Sequence, residues 1–467
     1  MSLVRTPRIP ESLDVRVEAL REQVTGDVFQ PGDAGYDAAR AAWNLSVNQY
    51  PAVVVVAHNA DDIAAAVRFA SAADLSIAMQ ATGHGVARKA DGAVLIVTAC
   101  MTDVEVDPWS QTAWVSAGVK WGKVLEAAQA VGLAPLLGSS PGVGAVGYTL
   151  GGGMGWLARK HGLSIDSVLR FEVVTAEGEM LTASADENSE LFWAMRGGTG
   201  AFAIVTRMQI KLYPVTTIYG GALVYPAENA RAVMQFFRDW SQYLPEEWTV
   251  SVALMNLPPL PELPPFLSGK SVVMVHGCYS GADLRLGQMM LQAWIDWQAP
   301  IANMFGEMPF NQVGMISNDP QDPMPGLSSG AWLADMSDET IDTLLKFTLP
   351  TGGPPALVKT EVRLAGGAMA RVPADANAYS NRDAQWILQV VGVTPTPDIA
   401  QGVALHIRAL KSALAGHLTG GVYLNFLEGE EKHGATQQAF AVDKQARLAA
   451  VKAQYDPNNR LSHALKV

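Results

Sequence analysis

Hydrophobic and polar positions alternate in blocks along the first half of the chain. Ala52 to Ala57 is an apolar run rich in β-branched residues, Asn59-Ala60-Asp61-Asp62 supplies capping side chains, and Ile63 to Ala73 repeats apolar residues at helical spacing. That order predicts a strand followed by a helix. Leu75 to Gln80 predicts a second strand running into the turn Thr82-Gly83-His84-Gly85, and Ala93 to Thr98 a third. Ala113 to Ala117 alternates as a strand does, Trp121 to Val131 returns to a helical period, and Leu169 to Thr175 and Phe202 to Leu212 read as further strands.

The texture changes near Pro214, where a segment rich in Met, Pro and Trp begins, including LPPLPELPPFL at Leu257 to Leu267. Strands are predicted at Ser271 to His276, Val358 to Leu364 and Trp386 to Val393, and helices at Asn229 to Tyr243 and Ile399 to Ala415. A sheet backed by helices fits this pattern. A last helix is predicted from Val442 to Tyr455, stopped by Asp456-Pro457-Asn458.

Composition changes this picture in two places. Ala127 to Ala158 has no charged residue and is long enough to imitate a membrane span, but its 32 residues hold nine Gly and two Pro. Helix propensity that poor argues for buried loops and turns. Nine glycines in so short a stretch also suggest backbone lying against a large flat ligand, because Gly has no Cβ. At 467 residues, two or three domains are expected.

Charge and cysteine usage narrow the function classes. Lys plus Arg is 33 against 45 Asp plus Glu, a net charge of −12, so nucleic acid is not an expected partner. Two cysteines, Cys100 and Cys278, make no disulfide framework, and the charged N-terminal stretch builds no secretory core. A cytoplasmic, non-membrane protein without a metal site is expected, as a monomer or homodimer.

Gly142-Val-Gly-Ala-Val-Gly147 satisfies G-x-G-x-x-G, with Asp166 about where a ribose-binding acid would stand. The chain then continues into Gly151-Gly152-Gly153-Met154-Gly155, a poor start for the helix a nicotinamide fold requires. His84, alone between two glycines, has no assigned role on position alone.

Longer motifs carry more. Thr82-Gly83-His84-Gly85, Pro141 to Gly155 continuing through Lys160-His-Gly-Leu-Ser-Ile-Asp166, Leu191 to Gly198, Ile204-Val-Thr206, Tyr423-Leu-Asn425 and Val451 to Asn458 occur in that order. The sequence resembles the flavin oxidases of the vanillyl-alcohol oxidase type, in their berberine-bridge-enzyme-like branch. The resemblance implies an α+β chain with a PCMH-type FAD-binding domain in two parts, residues 1–214 and 417–467. These parts enclose a substrate domain, residues 215–416, with an antiparallel sheet backed by helices.

It implies FAD bonded through its 8α position to His84. A second, cysteinyl link is not expected, because the matching position is Ser140. The Arg expected before the turn is Gln80, and Asn-Phe-Gly reads Ala201-Phe202-Ala203. With His84 and Gln80, the backbone of Ala81, Thr82, Gly83 and Gly85 would cradle the pyrophosphate. Ser140, Val143, Gly144, Gly147, Tyr148, Gly152, Gly153, Val205 and Asn425 would line the flavin. Tyr423 is the implied base, and Glu361, Tyr379 and Gln389 are candidates to face the substrate.

The expected reaction is oxidation of an alcohol on a hydrophobic or aromatic small molecule, with hydride passing to flavin N5 and dioxygen giving hydrogen peroxide. Amine oxidation, a dehydrogenase with another electron acceptor, and a flavin-binding scaffold without turnover are the alternatives.

Overall fold

A computed structural model describes residues 13–350 and 352–467. The first twelve residues of the N-terminal stretch, and so the start of the expected FAD domain, lie outside the described residues.

The first sheet is built from continuous apolar runs. Asp27–Phe29 pairs antiparallel with Val53–Val56, which is followed by Val94–Val97 and Ile77–Gln80 in parallel. Val53, Val55, Ile77, Val94 and Ile96 pack under the helix Ala60–Ala73, while Val54, Ala78, Leu95 and Val97 fill a second core on the other face. Burial on both faces explains why these strands read as unbroken apolar runs rather than alternations. The helix starts where expected, the Asn59 side chain accepting the Asp62 N–H at 2.9 Å.

A five-stranded antiparallel sheet follows, ordered Val104–Asp107, Thr112–Ser116, Ile204–Lys211, Val168–Val174, Met180–Ser184. The C-terminal helix Val442–Tyr455 returns to this part, burying Leu448 and Val451 in the core that holds Phe202, Phe192 and Leu191.

The third sheet takes its strands from the middle of the chain. Ala302–Asn303, Thr217–Pro226, Ser271–Tyr279, Trp248–Asn256, Lys359–Leu364, Trp386–Val393 and Gly326–Leu333 pair in that order, and Gly306–Pro309 also pairs with Thr217–Pro226. Register divides its faces. Val275, Val252, Val362 and Leu388 stand opposite one another and enter one core with the helices Ala230–Ser241, Leu284–Trp297, Asp338–Thr348 and Pro397–Ala413. One residue along each strand, His276, Ser251, Arg363 and Ile387 form the neighbouring row on the opposite face.

Eight of the strands among the described residues escape the sequence pattern: the short Asp27–Phe29, Ala302–Asn303 and Gly306–Pro309, and the longer Val104–Asp107, Met180–Ser184, Thr217–Pro226, Trp248–Asn256 and Gly326–Leu333. Gly220-Gly221 reads as a breaker, yet the strand runs through it because the segment at Met304 and Phe305 packs against Gly221. The stretch Ala127 to Ala158 is turns and short helices. A six-residue helix, Ala145–Leu150, opens at Gly144 within the G-x-G-x-x-G motif and stops at Gly151, and Gly151 to Gly155 carries no helix, in line with the expectation. Among the described residues no helix is long and apolar enough to cross a membrane.

Candidate active site

The polar face of the third sheet meets the glycine-rich loop and the segment around Tyr423. Glu361 is buried and lies 3.0 Å from Arg363 Nη2 and 3.1 Å from Lys359 Nζ. Burial pushes its carboxyl pKa up, but Arg363, Lys359 and then His276 outweigh that and hold it below the usual range. His276 is buried and kept neutral, its pKa lowered to about 4 by loss of solvent. Gln389 stands opposite Glu361 on the next strand. The Arg363 guanidinium lies 5.1 Å from the centre of the Phe426 ring, whose edge-on neighbour at 4.8 Å is Tyr423. A small cavity between Ser139, Met154, Trp156, Ser251 and Arg363 marks where the two walls meet.

Tyr423 is buried, and its phenolic oxygen accepts three N–H groups: Met154 N at 2.7 Å, Gly153 N at 3.1 Å and Asn425 Nδ2 at 3.1 Å. Asn425 is oriented by a second bond, donated to the Tyr148 carbonyl at 2.8 Å. Burial raises the Tyr423 pKa, opposed by Met154 N–H, the Asn425 amide, Arg363 and Gly153 N–H. Tyr379 approaches edge-on, 6.4 Å between ring centres. It stands in a loop rather than on a strand, with its carbonyl held by Lys444 Nζ at 2.6 Å. Gly152, at φ +120°, sits beneath both rings; a Cβ there would lie 2.7 Å from Tyr379 and 3.1 Å from Tyr423.

On the first sheet, the turn after Ile77–Gln80 has its carbonyls and amides sorted to different uses. Thr82 O accepts Trp43 N–H, Gly83 O accepts Asn44 N–H, and Gly85 O accepts Lys432 Nζ at 3.0 Å. The N–H groups of Ala81, Thr82, Gly83, His84 and Gly85 find no acceptor among the described residues. Five successive free donors fit the anionic pyrophosphate of FAD. The His84 ring stacks on Trp43, centres 4.1 Å apart, and its Nδ1 is 2.8 Å from Thr82 Oγ1. Gln80 is turned away from this cradle: its amide donates to Ala41 O at 2.8 Å and accepts from Gln49 at 2.9 Å, so it braces the turn.

The other expected flavin contacts divide. A Cβ on Gly147 would meet open space, whereas Gly144 is packed against the turn, where a Cβ would touch Ala81 and Thr82 at 3.4 and 3.5 Å. Ser140 closes the tight turn at Pro141, its carbonyl accepting Val143 N–H, and Val143 O accepts Trp121 N–H. Val205 lies buried on the strand Ile204–Lys211. Tyr148 supports the loop from below: Cβ atoms on Gly138 and Gly153 would come within 2.9 and 2.7 Å of its ring. Many of the glycines thus answer to the protein's own packing rather than to a flat ligand, since a Cβ on Gly151 would strike Asn425 and one on Gly155 the Leu137 carbonyl.

Sequence reasoning missed Arg363, Lys359, His276, Ser251 and Trp43. A signal existed for two of them, because Lys359, Glu361 and Arg363 place charges at every second position of a predicted strand. His276, Ser251 and Trp43 reach the site through strand register and loop docking.

The fold is that of PCMH-type FAD-binding oxidases, and the similarities to known proteins support an FAD-dependent oxidoreductase. The model of the FAD binding domain matches residues 51–184, and that of the berberine and berberine-like segment matches residues 422–466. These two segments make the chain similar to berberine-like FAD-linked oxidoreductases. It is 28% identical to (R)-6-hydroxynicotine oxidase of Paenarthrobacter nicotinovorans, over 94% of this chain and 96% of that protein. With chitooligosaccharide oxidase of Gibberella zeae the identity is 24%, over 92% and 89% of the two chains. The crystal structure of 6-hydroxy-D-nicotine oxidase from Arthrobacter nicotinovorans superposes with a TM-score of 0.83 at 24% identity, covering 95% of this chain and 98% of that one.

Proposed function

We propose that the protein oxidises an alcohol group on a small molecule with a hydrophobic or aromatic body. In this reading FAD is held by a single covalent bond to His84, and dioxygen takes the electrons and leaves as hydrogen peroxide. Bound FAD would supply the two-electron oxidation, accepting hydride from the carbon that bears the hydroxyl. The reading divides the chain as expected, at about 214 and 416, in keeping with the separate origin of the three sheets.

The observation that carries the proposal is the Tyr423 oxygen with its three N–H donors. A neutral phenol there has no acceptor for its own hydrogen among those partners, whereas a phenolate satisfies all three. Removing a proton from a substrate hydroxyl requires the phenolate, and fixed backbone dipoles stabilise it without reorganising. Across the site, Arg363 Nε, His276 Nδ1 and Gln389 Oε1 are buried without partners. They would orient the substrate's polar atoms while Trp332, Tyr379 and Phe426 enclose its apolar body.

Anaerobic mixing with panels of aromatic alcohols and amines tests this. Alcohols are expected to bleach the flavin, with peroxide released when air is admitted. Bleaching by amines alone would replace alcohol oxidation with amine oxidation, and turnover without peroxide would replace dioxygen with another acceptor. Bleaching by neither class would leave a flavin-binding scaffold.

A further inference from the structure

Beside the Tyr423 contact, the two walls of the site close around a group of polar atoms that the protein itself leaves unpaired. Met154 donates its N–H to the Tyr423 oxygen at 2.7 Å, and it also lines the small cavity together with Ser139, Trp156, Ser251 and Arg363. That cavity leaves about 10 Å³ for the centre of a water-sized sphere, the room of one oxygen atom. Three of its lining residues hold a buried polar atom with no hydrogen-bond partner among the described residues: Trp156 Nε1, Ser251 Oγ and Arg363 Nε. His276 Nδ1 is a fourth, on the residue that stands opposite Ser251 in the sheet, with its ring centre 6.5 Å from that of Trp156. Unpaired polar groups buried this deeply are destabilising, and four of them together imply a ligand that completes them.

We propose that this cavity receives an uncharged carbonyl oxygen of the substrate, which makes the substrates aromatic alcohols that carry a ketone, aldehyde, ester or amide away from the carbon being oxidised. The proposal rests on the alcohol-oxidase reading above and names its substrate class. Donor inventory, size and charge each select a carbonyl. The indole and guanidinium N–H groups can only donate, and a carbonyl oxygen, with two lone pairs and no hydrogen, satisfies both. A hydroxyl would bring a hydrogen of its own and need Ser251 or His276 as its acceptor. The cavity admits one oxygen, whereas a carboxylate brings two. Charge points the same way, because Arg363 and Lys359 are already balanced by Glu361, at 3.0 and 3.1 Å, and by Asp319, 3.9 Å from Lys359, while His276 is neutral. An anion would be buried there without a counter-charge of its own, and a carbonyl needs none. A ligand without the oxygen leaves the donors unpaired, which is how a buried polar site rejects analogues.

The test titrates the purified flavoprotein, without oxygen, with three probes that cannot be oxidised at an alcohol, and follows the flavin absorbance. They are acetophenone, α-methylstyrene, in which a methylene replaces the carbonyl oxygen, and benzoate. Acetophenone is expected to bind roughly tenfold or more tightly than α-methylstyrene, the weight of one or two buried hydrogen bonds. Trp156→Phe keeps an aromatic ring and removes the N–H, and should cut that ratio by roughly tenfold. Equal affinities in the parent would leave the cavity to water and overturn the proposal, as would a flavin spectrum that none of the three disturbs. Tightest binding by benzoate would replace the carbonyl with an anion. A ratio that survives unchanged in Trp156→Phe would take the carbonyl out of this cavity. Failure of the alcohol reading has a different signature: acetophenone would still bind selectively, while 4-acetylbenzyl alcohol would leave the flavin unbleached.

Discussion

The two walls of the site handle charge in opposite ways. On the loop wall, Tyr423 is met by backbone N–H groups of Gly153 and Met154 and by a neutral amide, with no ionised partner in hydrogen-bond contact. On the sheet wall, Glu361, Arg363 and Lys359 are ionised and compensate one another within 3.1 Å. Fixed dipoles need no counter-charge and suit a group whose charge must come and go during a reaction. Ion pairs suit groups whose charge is permanent, since each partner repays part of the other's desolvation. In the proposed reading the loop wall would supply the reacting group and the sheet wall would bind substrate.

The sharpest way to break this contrast is Tyr423→Phe. Turnover is expected to fall by about 10²- to 10⁴-fold, the usual weight of a proton-transferring group, with the protein still folded and yellow. Unchanged turnover would end the base assignment and with it the distinction between the walls. Next in size is Arg363→Met, which leaves Glu361 buried with Lys359 as its remaining close cation. Thermal or urea unfolding should show a loss of about 3 kcal/mol, as when a buried pair loses one partner; a loss near zero would show that the sheet wall is not held by its charges.

The smallest effect concerns His276, neutral in the fold with its pKa lowered to about 4. The unfolded chain takes up a proton near the ordinary pKa of about 6.5 while the folded chain does not. The stabilisation is thus complete above pH 6.5 and is lost as pH falls toward 4, at about 1.4 kcal/mol per pH unit. A His276→Asn variant should show a flatter decline of Tm between pH 6.5 and 4.5 than the parent. An equal slope in both would mean that His276 is already charged beside Glu361.

How far the site was legible depends on the range of the interactions that build it. The motif around His84 and the Tyr423-Leu-Asn425 segment are local, and so are the cap at Asn59 and the strands at Val53–Val56 and Trp386–Val393. Charges at alternate positions of Lys359–Leu364 were equally visible, although Glu361 alone was singled out. The strand Thr217–Pro226 was hidden by its paired glycines, whose neighbour comes from residues more than eighty positions away.

The sequence by itself determined the flavin-binding class, the alternation of elements in the first half and the residue types available for chemistry, because these reside in short motifs and local periods. Tertiary structure alone decided that His276, Ser251 and Arg363 share one row and one face, because antiparallel register is set by pairing across the sheet. It alone decided that Gly153 and Met154 donate to a tyrosine some 270 positions later. Backbone hydrogen-bond donors are present at every residue except proline, so their use at a site cannot be read from residue identity.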